Sequence, residues 1–352
     1  MSLTSPVGGW DNAIDCMAAD RAHTIADIAR LAGVSKSTVS RALNDSPLIG
    51  DETKDRIRAI AEQHQFQLNA AARRLRTKQS HTIAFVAYPY KLESGVPDVF
   101  MLELMSGLTA ALHAEGYDML VVPTDPADTG WVREYLEAGR VDGFVLLSAT
   151  CTEAHLKTLV ELNAPFITWG VLPWNGTHSS VSGDSVTGGR IATEHLLESG
   201  RSRIAFLGGP AGVPEIGDRF RGYEAALAAA GQEVDQTLVA HAFWTEQEGD
   251  RAMRVLLSRA PDLDAVFVCS DLMAFAAMDA IRDLGRTVPG DVAVVGYDDV
   301  SLARHSNPPL TTVRQNGPLA GQLLARNLLE HVRSGVVTSV TIPAELVVRE
   351  SA

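Results

Sequence analysis

Lys36, Ser37, Ser40, Arg41 and Asn44 recur at spacings that gather them on one face of an α-helix. An arginine fork takes guanine bidentately, and serine and asparagine reach base edges or phosphate oxygens. Lysine adds a charge opposite to a phosphate backbone. Val39, Ala42 and Leu43 fill the other face, so the polar side has an apolar one to rest on. A short helix of this kind suits the major groove of DNA.

The neighbouring elements look built to present that face. Ser35 is a good N-cap for the helix, and the tight Ala32-Gly33-Val34 turn precedes it. Upstream, Ile25, Ile28, Ala29 and Leu31 give a first amphipathic helix beginning near Thr24. A third helix, Asp51 to His64, puts Ile57, Ile60 and Ala61 inside, with Gly50 at its start as a weak cap. Residues 24–68 therefore read as a three-helix helix-turn-helix headpiece. Residues 69–80 are rich in Ala and Arg, with Leu75 as the one bulky apolar group. A lone helix of that length is marginal in water and orders when something, such as DNA, covers it.

The 352 residues are enough for two or three domains with real cores. A hydrophobic share of 46% and a charged share of 21% belong to a soluble globular chain. The net charge of −13 first argues against nucleic acid, but residues 21–80 hold 11 Lys and Arg against 6 Asp and Glu. That segment is net +5 and the remainder −18, a basic head on an acidic body. Cys16, Cys151 and Cys269 lie far apart without metal-ligand spacing and read as reduced thiols. Residues 1–23 carry Asp11, Asp15 and Asp20 and lack the form of an export signal. They read as a flexible tail, no segment is a membrane span, and a cytoplasmic location is expected.

From Thr82 onward, apolar runs alternate with amphipathic stretches. Strands are expected at Ile83–Ala87, Met119–Val122, Phe144–Leu147, Phe166–Trp169, Ile204–Leu207, Ala265–Val268 and Val292–Val295. Helices are expected at Val99–Glu115, Gly188–Ser199, Phe220–Ala230, Glu246–Ser258 and Leu272–Leu284. Fully apolar strands between helices indicate doubly wound parallel sheets, here two lobes of an α/β body. Ligands of such folds sit at the carboxyl ends of strands.

The motifs in order are Ile28-Ala-Arg-Leu-Ala-Gly-Val-Ser35, Thr38-Val-Ser-Arg-Ala-Leu-Asn44, Ala72-Arg-Arg-Leu-Arg-Thr-Lys-Gln-Ser80, Val294-Val-Gly-Tyr-Asp-Asp299, Pro309-Leu-Thr-Thr-Val-Arg-Gln315 and Leu346-Val-Val-Arg-Glu-Ser351. Together they resemble the lac-repressor (LacI/GalR) family of transcription regulators over residues 24–351. The resemblance implies DNA contacts from Thr24, Ser35, Lys36, Ser37, Ser40, Arg41, Asn44 and Thr53. It implies a hinge helix from Asn69, with Ala72 on the groove floor and Leu75 entering the minor groove to kink the duplex. It also implies a periplasmic-binding-protein-like body over 81–352 that binds an effector and dimerises. Lobe 1 is expected at about 81–183 and 317–335, and lobe 2 at about 184–316 and 336–352.

For the effector, the resemblance points to Phe100, Arg219, Trp244, Asp298 and the Ser270-Asp271 pair, which stands where Asn-Asp is more usual. Trp169, Asp184, Glu215 and Gln315 are further positions. Arg and Asp suit hydroxyl donors and acceptors, and an aromatic face suits a pyranose or a base. A sugar is the default ligand, with a nucleobase or sugar phosphate as alternatives. Leu68 and His64-Gln65-Phe66 depart from the family pattern without removing a DNA-contact position. The histidines sit beside no nucleophile, and Gly208-Gly209-Pro210 is not followed by the Lys-Ser/Thr of a phosphate loop. No catalysis, cofactor or metal is expected. An exported solute-binding protein would share the two-lobed body but not the basic headpiece. The expected assembly is a homodimer on a near-palindromic operator.

Overall fold

The computed structural model describes residues 24–66, 79–87, 98–124, 128–172 and 178–352. The tail 1–23 and the hinge positions Asn69, Ala72 and Leu75 lie outside the described residues. The chain divides into two compact units, Met1–Gln79 and Ser80–Ala352.

The first unit contains α1 (Ile25–Ala32), α2 (Lys36–Leu43) and α3 (Asp51–Gln63). Thr24 opens α1 with a reciprocal cap: its hydroxyl accepts from the Asp27 N–H at 3.3 Å, and the Asp27 carboxylate accepts from the Thr24 N–H at 3.1 Å. Gly33 ends α1 at a φ of +64°, a left-handed conformation that glycine adopts without a Cβ penalty. Ser35 then caps α2, accepting from Thr38 N–H at 3.1 Å. Ile28, Ala29, Ala32, Val39, Ala42, Ile57 and Ala61 form the core. Leu31, expected inside, is 45% exposed. The buried stripe runs 25, 28, 29, 32, so Ala32 takes the inward position and Leu31 falls to its side. Gly50 gives α3 no side-chain cap, as its residue type requires.

The second unit carries two six-stranded sheets. The first comprises β1 (Thr82–Ala87), β2 (Asp118–Pro123), β3 (Gly143–Leu147), β4 (Phe166–Trp169), β5 (Ser179–Gly183) and β11 (Ser339–Ile342), in the order β11-β5-β4-β3-β1-β2 and parallel throughout. The second comprises β6 (Ile204–Gly208), β7 (Val239–His241), β8 (Ala265–Val268), β9 (Ala293–Asp298), β10 (Thr311–Arg314) and β12 (Glu345–Val347), in the order β12-β10-β9-β8-β6-β7. Only the β10–β12 pair is antiparallel. The helices are α4 (Val99–Ala114), α5 (Gly130–Glu137), α6 (Glu153–Glu161) and α11 (Gly317–Ser334) with the first sheet. With the second are α7 (Ser185–Glu198), α8 (Pro214–Ala229), α9 (Glu246–Arg259) and α10 (Asp271–Asp283). β11 pairs with β5, so this piece of the stretch 336–352 lies in the first lobe, not the second as expected.

The chain crosses between lobes after β5, β10 and β11. Two helix pairs lock the lobes through glycines. A Cβ on Gly107 of α4 would sit 2.1 Å from the Pro318 carbonyl oxygen of α11. In the second lobe, a Cβ on Gly189 of α7 would sit 2.0 Å from the Arg219 carbonyl oxygen of α8. Backbone meets backbone at both crossings, so α8 and the side chain of Arg219 are held at a fixed depth.

Candidate functional site

At the carboxyl ends of the strands the two lobes enclose a cavity of about 140 Å³, roughly ten times the 10–15 Å³ needed by one water. Three helices begin at it: α4 with Asp98 as its N-cap, α8 with Glu215 in its first turn, and α10 with Ser270 as its N-cap. Phe100, Trp169, Glu215, Arg219, Trp244, Ser270, Asp298 and Gln315 all line it.

Arg219 is the basic group of the cavity, and it is 6% exposed. Its Nη1 donates to the Cys269 carbonyl at 2.7 Å, and its guanidinium lies 3.6 Å over the Tyr297 ring. Among the described residues no carboxylate comes within ion-pair distance of it. Its remaining donors are therefore held in place without being consumed by a salt bridge.

Asp298 ends β9 with a φ of +127°, a sparsely populated conformation for a residue with a side chain. Its Oδ1 accepts from Gln315 Nε2 at 2.7 Å. The next residue, Asp299, also has a left-handed φ of +56° and accepts from both Arg314 and Arg349. That double clamp overdetermines the strand end and holds the strained Asp298 in position.

Aromatic walls come from both lobes. Phe100 and Trp169 of the first lobe pack at 5.5 Å and 43°. Trp244 of the second lies against Gly209, where a Cβ would meet the indole at 2.7 Å. Flat apolar faces and the polar groups of Arg219, Asp298 and Gln315 thus line the same cavity.

Two expected contacts do not line the cavity. Asp184 sits at the first crossover, where its side chain caps α7 by accepting from Thr187 N–H at 3.0 Å. Asp271 is fully buried beneath the site and accepts from Val300 N–H at 2.9 Å and Thr312 Oγ1 at 2.6 Å. Asp184 is thus engaged in starting α7, and both oxygens of Asp271 are engaged in bracing the strand ends beneath the site. Conversely, the reading of the sequence missed Asp98 and Ser148. The first directly precedes a predicted helix and the second directly follows a predicted strand, both places where ligands of this architecture collect. Ser148 Oγ donates to Glu215 Oε1 at 2.6 Å, and Val171 N–H donates to the same oxygen at 2.9 Å. Glu103 accepts from Ser301 N–H at 2.9 Å. These bonds join the two lobes across the cavity.

Burial pushes Asp298 up to about 7, against the opposing pull of Arg219. Burial, with Asp298 beside it, also raises Asp271 well above its ordinary value, and burial raises Glu215. These carboxyls hold protons in the folded chain at a pH where the unfolded chain has lost them. For Asp298 that contribution to stability is full below about pH 4 and is lost as the pH rises through about 7. Asp235 and Asp291, held low by hydrogen bonds from Thr237 and Thr287, titrate below that window. Melting curves at pH 5 and pH 8 should show a smaller pH-dependent drop in Tm for Asp298→Asn than for the native chain. Equal drops would refute the assignment.

The headpiece presents its own surface. Lys36, Ser37, Arg41 and Asn44 are exposed and Ser40 half-exposed along α2. Thr53 is half-exposed in the first turn of α3. Ser35 Oγ lies 2.7 Å from Ser37 Oγ, and Asn44 Nδ2 donates to the Ser40 carbonyl. Lys54 and Arg58 instead converge on Asp45, at 3.2 and 2.9 Å. The side chains of α2 expected to meet DNA thus share one outward face, while those two cations are spent internally.

Among the described residues no group of His, Cys, Asp and Glu has metal-site geometry, and no helix is long and apolar enough to cross a membrane.

Comparison with known proteins covers nearly the whole chain. The family described as bacterial regulatory proteins, lacI family, matches residues 24–69, and the periplasmic binding protein-like domain matches residues 193–352. The HTH-type transcriptional regulator CelR of Thermobifida fusca is 37% identical over 94% of this chain and 98% of its own. The solved transcriptional regulator CelR–cellobiose complex superposes with a TM-score of 0.73 at 35% identity, over 94% of this chain and 100% of that one. The lac repressor dimer bound to operator and the anti-inducer ONPF gives a TM-score of 0.79 at 25% identity, over 93% and 98%.

Proposed function

The chain belongs to the lacI family of bacterial regulatory proteins, and we propose that it works as a cytoplasmic homodimeric repressor whose hold on operator DNA is weakened by a sugar bound between its lobes. The observation that carries this reading is the cavity itself, lined both by Arg219, Asp298 and Gln315 and by the rings of Phe100, Trp169 and Trp244. Hydroxyls pair with the first group, and the C–H face of a pyranose lies on the second. Cellobiose, bound by the CelR relative, is the first sugar to test.

Each headpiece reads one half-site through α2, with Lys36, Ser37, Ser40, Arg41 and Asn44 toward the groove and Thr24, Ser35 and Thr53 toward phosphates. Two-fold symmetry of the dimer calls for a near-palindromic site. Asn69, Ala72 and Leu75 supply a hinge, with Leu75 unstacking the central step at a cost of about a few kcal/mol, offset by contacts that the bend permits. Nothing in this scheme requires turnover of the sugar, and the protein acts as a binding switch without an enzymatic step.

Selection of bound duplexes from a random library tests the DNA half of this reading. A palindromic winner with a deformable centre is expected, and Leu75→Ala should weaken it by about tenfold to a thousandfold, the equivalent of losing a few kcal/mol. A winner without symmetry, or one indifferent to that substitution, would refute the headpiece-and-hinge scheme.

A further inference from the structure

Glu215 lines the cavity with one oxygen engaged and the other without a partner. Its Oε1 accepts from Ser148 Oγ at 2.6 Å and from Val171 N–H at 2.9 Å, both in the opposite lobe. Its Oε2 is buried and has no hydrogen-bond partner among the described residues. The loop that receives Oε1 is shaped around it. Gly170 has a φ of +91°, and a Cβ there would lie 1.8 Å from that oxygen and 2.1 Å from Ser148 Oγ. Gly170 N–H donates to the Val181 carbonyl at 2.8 Å, and Thr168 Oγ1 donates to the Gly170 carbonyl at 2.8 Å. Those two bonds fix the aim of the next N–H, that of Val171.

Glu215 and Arg219 stand one turn apart on α8, where an ionised pair attracts. Among the described residues, however, no carboxylate pairs with Arg219. Burial also raises the proton affinity of Glu215. A neutral acid whose Oε1 already accepts twice carries its proton on Oε2. That O–H is then a buried donor without an acceptor, a costly state that a ligand oxygen relieves. Arg219 Nε is a second buried donor without a partner, and positions 215 and 219 share one helix face.

Resting on the effector reading above, we propose that Glu215 is the coupling residue of the switch: its Oε2 donates to an oxygen of the sugar while its Oε1 holds the first lobe. A hydroxyl, ring or glycosidic oxygen meets that need, and an ammonium group does not. Ser148 and Gly170 are positioning residues that hold Glu215 in place.

Glu215→Gln, Glu215→Met and Ser148→Ala in the full chain test the proposal, with cellobiose as the probe. Glutamine reproduces the neutral acid, because its carbonyl accepts from Ser148 and Val171 and its amide donates. Calorimetry should find its cellobiose affinity within about fivefold of native, whereas methionine, which makes neither bond, should lose about tenfold or more. Ser148→Ala keeps the donor but loosens the hold on the first lobe. The effect of saturating cellobiose on operator affinity, read by anisotropy, should shrink in it by about threefold or more. A larger loss with glutamine, no loss with methionine, or an unchanged operator response in Ser148→Ala would overturn the proposal. Infrared difference spectra, native minus Glu215→Gln at neutral pH, read the proton without any sugar. A protonated-carboxyl band is expected, and carboxylate bands in its place would overturn the proposal. Failure of the native chain to bind cellobiose would count against that sugar, and the infrared spectra would still decide the state of Glu215.

Discussion

Arg219→Lys should leave operator binding intact and abolish the response to effector at concentrations that saturate the native protein. Lysine keeps the charge but loses the planar fork, its bond to the Cys269 carbonyl and its stacking on Tyr297. Each hydrogen bond to a charged group contributes about 1.5–3 kcal/mol. Losing the one or two that a sugar oxygen receives weakens effector binding by about a hundredfold or more. Calorimetry would give that affinity, and fluorescence anisotropy on labelled operator would show whether DNA binding persists. A variant that still releases DNA at the native effector concentration would remove Arg219 from the site.

Gly189→Ala should be the most damaging single methyl in the second lobe. The added Cβ would lie 2.0 Å from the Arg219 carbonyl oxygen, a backbone atom that cannot turn aside. Gly222 makes the reciprocal approach, its Cβ position 2.2 Å from the Val186 oxygen. Relieving the clash separates α7 from α8, costs about 3 kcal/mol of stability, and displaces Arg219 from the cavity. Gly217, on the same helix, is the control: a Cβ there meets nothing within 4 Å. Gly217→Ala should stabilise by up to about 1 kcal/mol through helix propensity. Denaturant titrations of the two variants should therefore move in opposite directions. Equal shifts would mean that the crossing is looser than its geometry indicates.

The elements most legible in the sequence are those with one dominant signal. Phe166–Trp169 and Ala265–Val268 are short apolar runs, and their strands match residue for residue. β5 went unread because Ser-Ser-Val-Ser-Gly has no apolar run. It is buried on hydroxyls, with Ser179 Oγ accepting from Thr338 N–H and Ser180 Oγ paired to Ser339 Oγ. α8 begins six residues before the expected Phe220, at Pro214, because its first turns carry Glu215, Gly217 and Asp218 in place of an apolar stripe.

In the site, eight of the ten effector positions taken from the family pattern line one cavity. Asp184 and Asp271 lie off the cavity for a shared reason: an acid at a strand end suits a ligand, a helix cap and a buttress equally well. Only the partners on the folded chain decide, and here they are Thr187, Val300 and Thr312. The cross-lobe bonds of Glu215 and Glu103 were invisible for a different reason, because each joins residues tens to hundreds of positions apart.

Those cross-lobe bonds are the contacts that a ligand in the cavity would act on. The lobes meet through Glu215 with Ser148 and Val171, and through Glu103 with Ser301, so a ligand seated among them biases how the lobes close. Operator affinity measured with and without saturating cellobiose, by anisotropy on the selected duplex, tests this account most directly. The account predicts that the sugar weakens binding by about fivefold to 150-fold, the usual range of a coupling between sites. Calorimetric binding of cellobiose with operator affinity unchanged would contradict it.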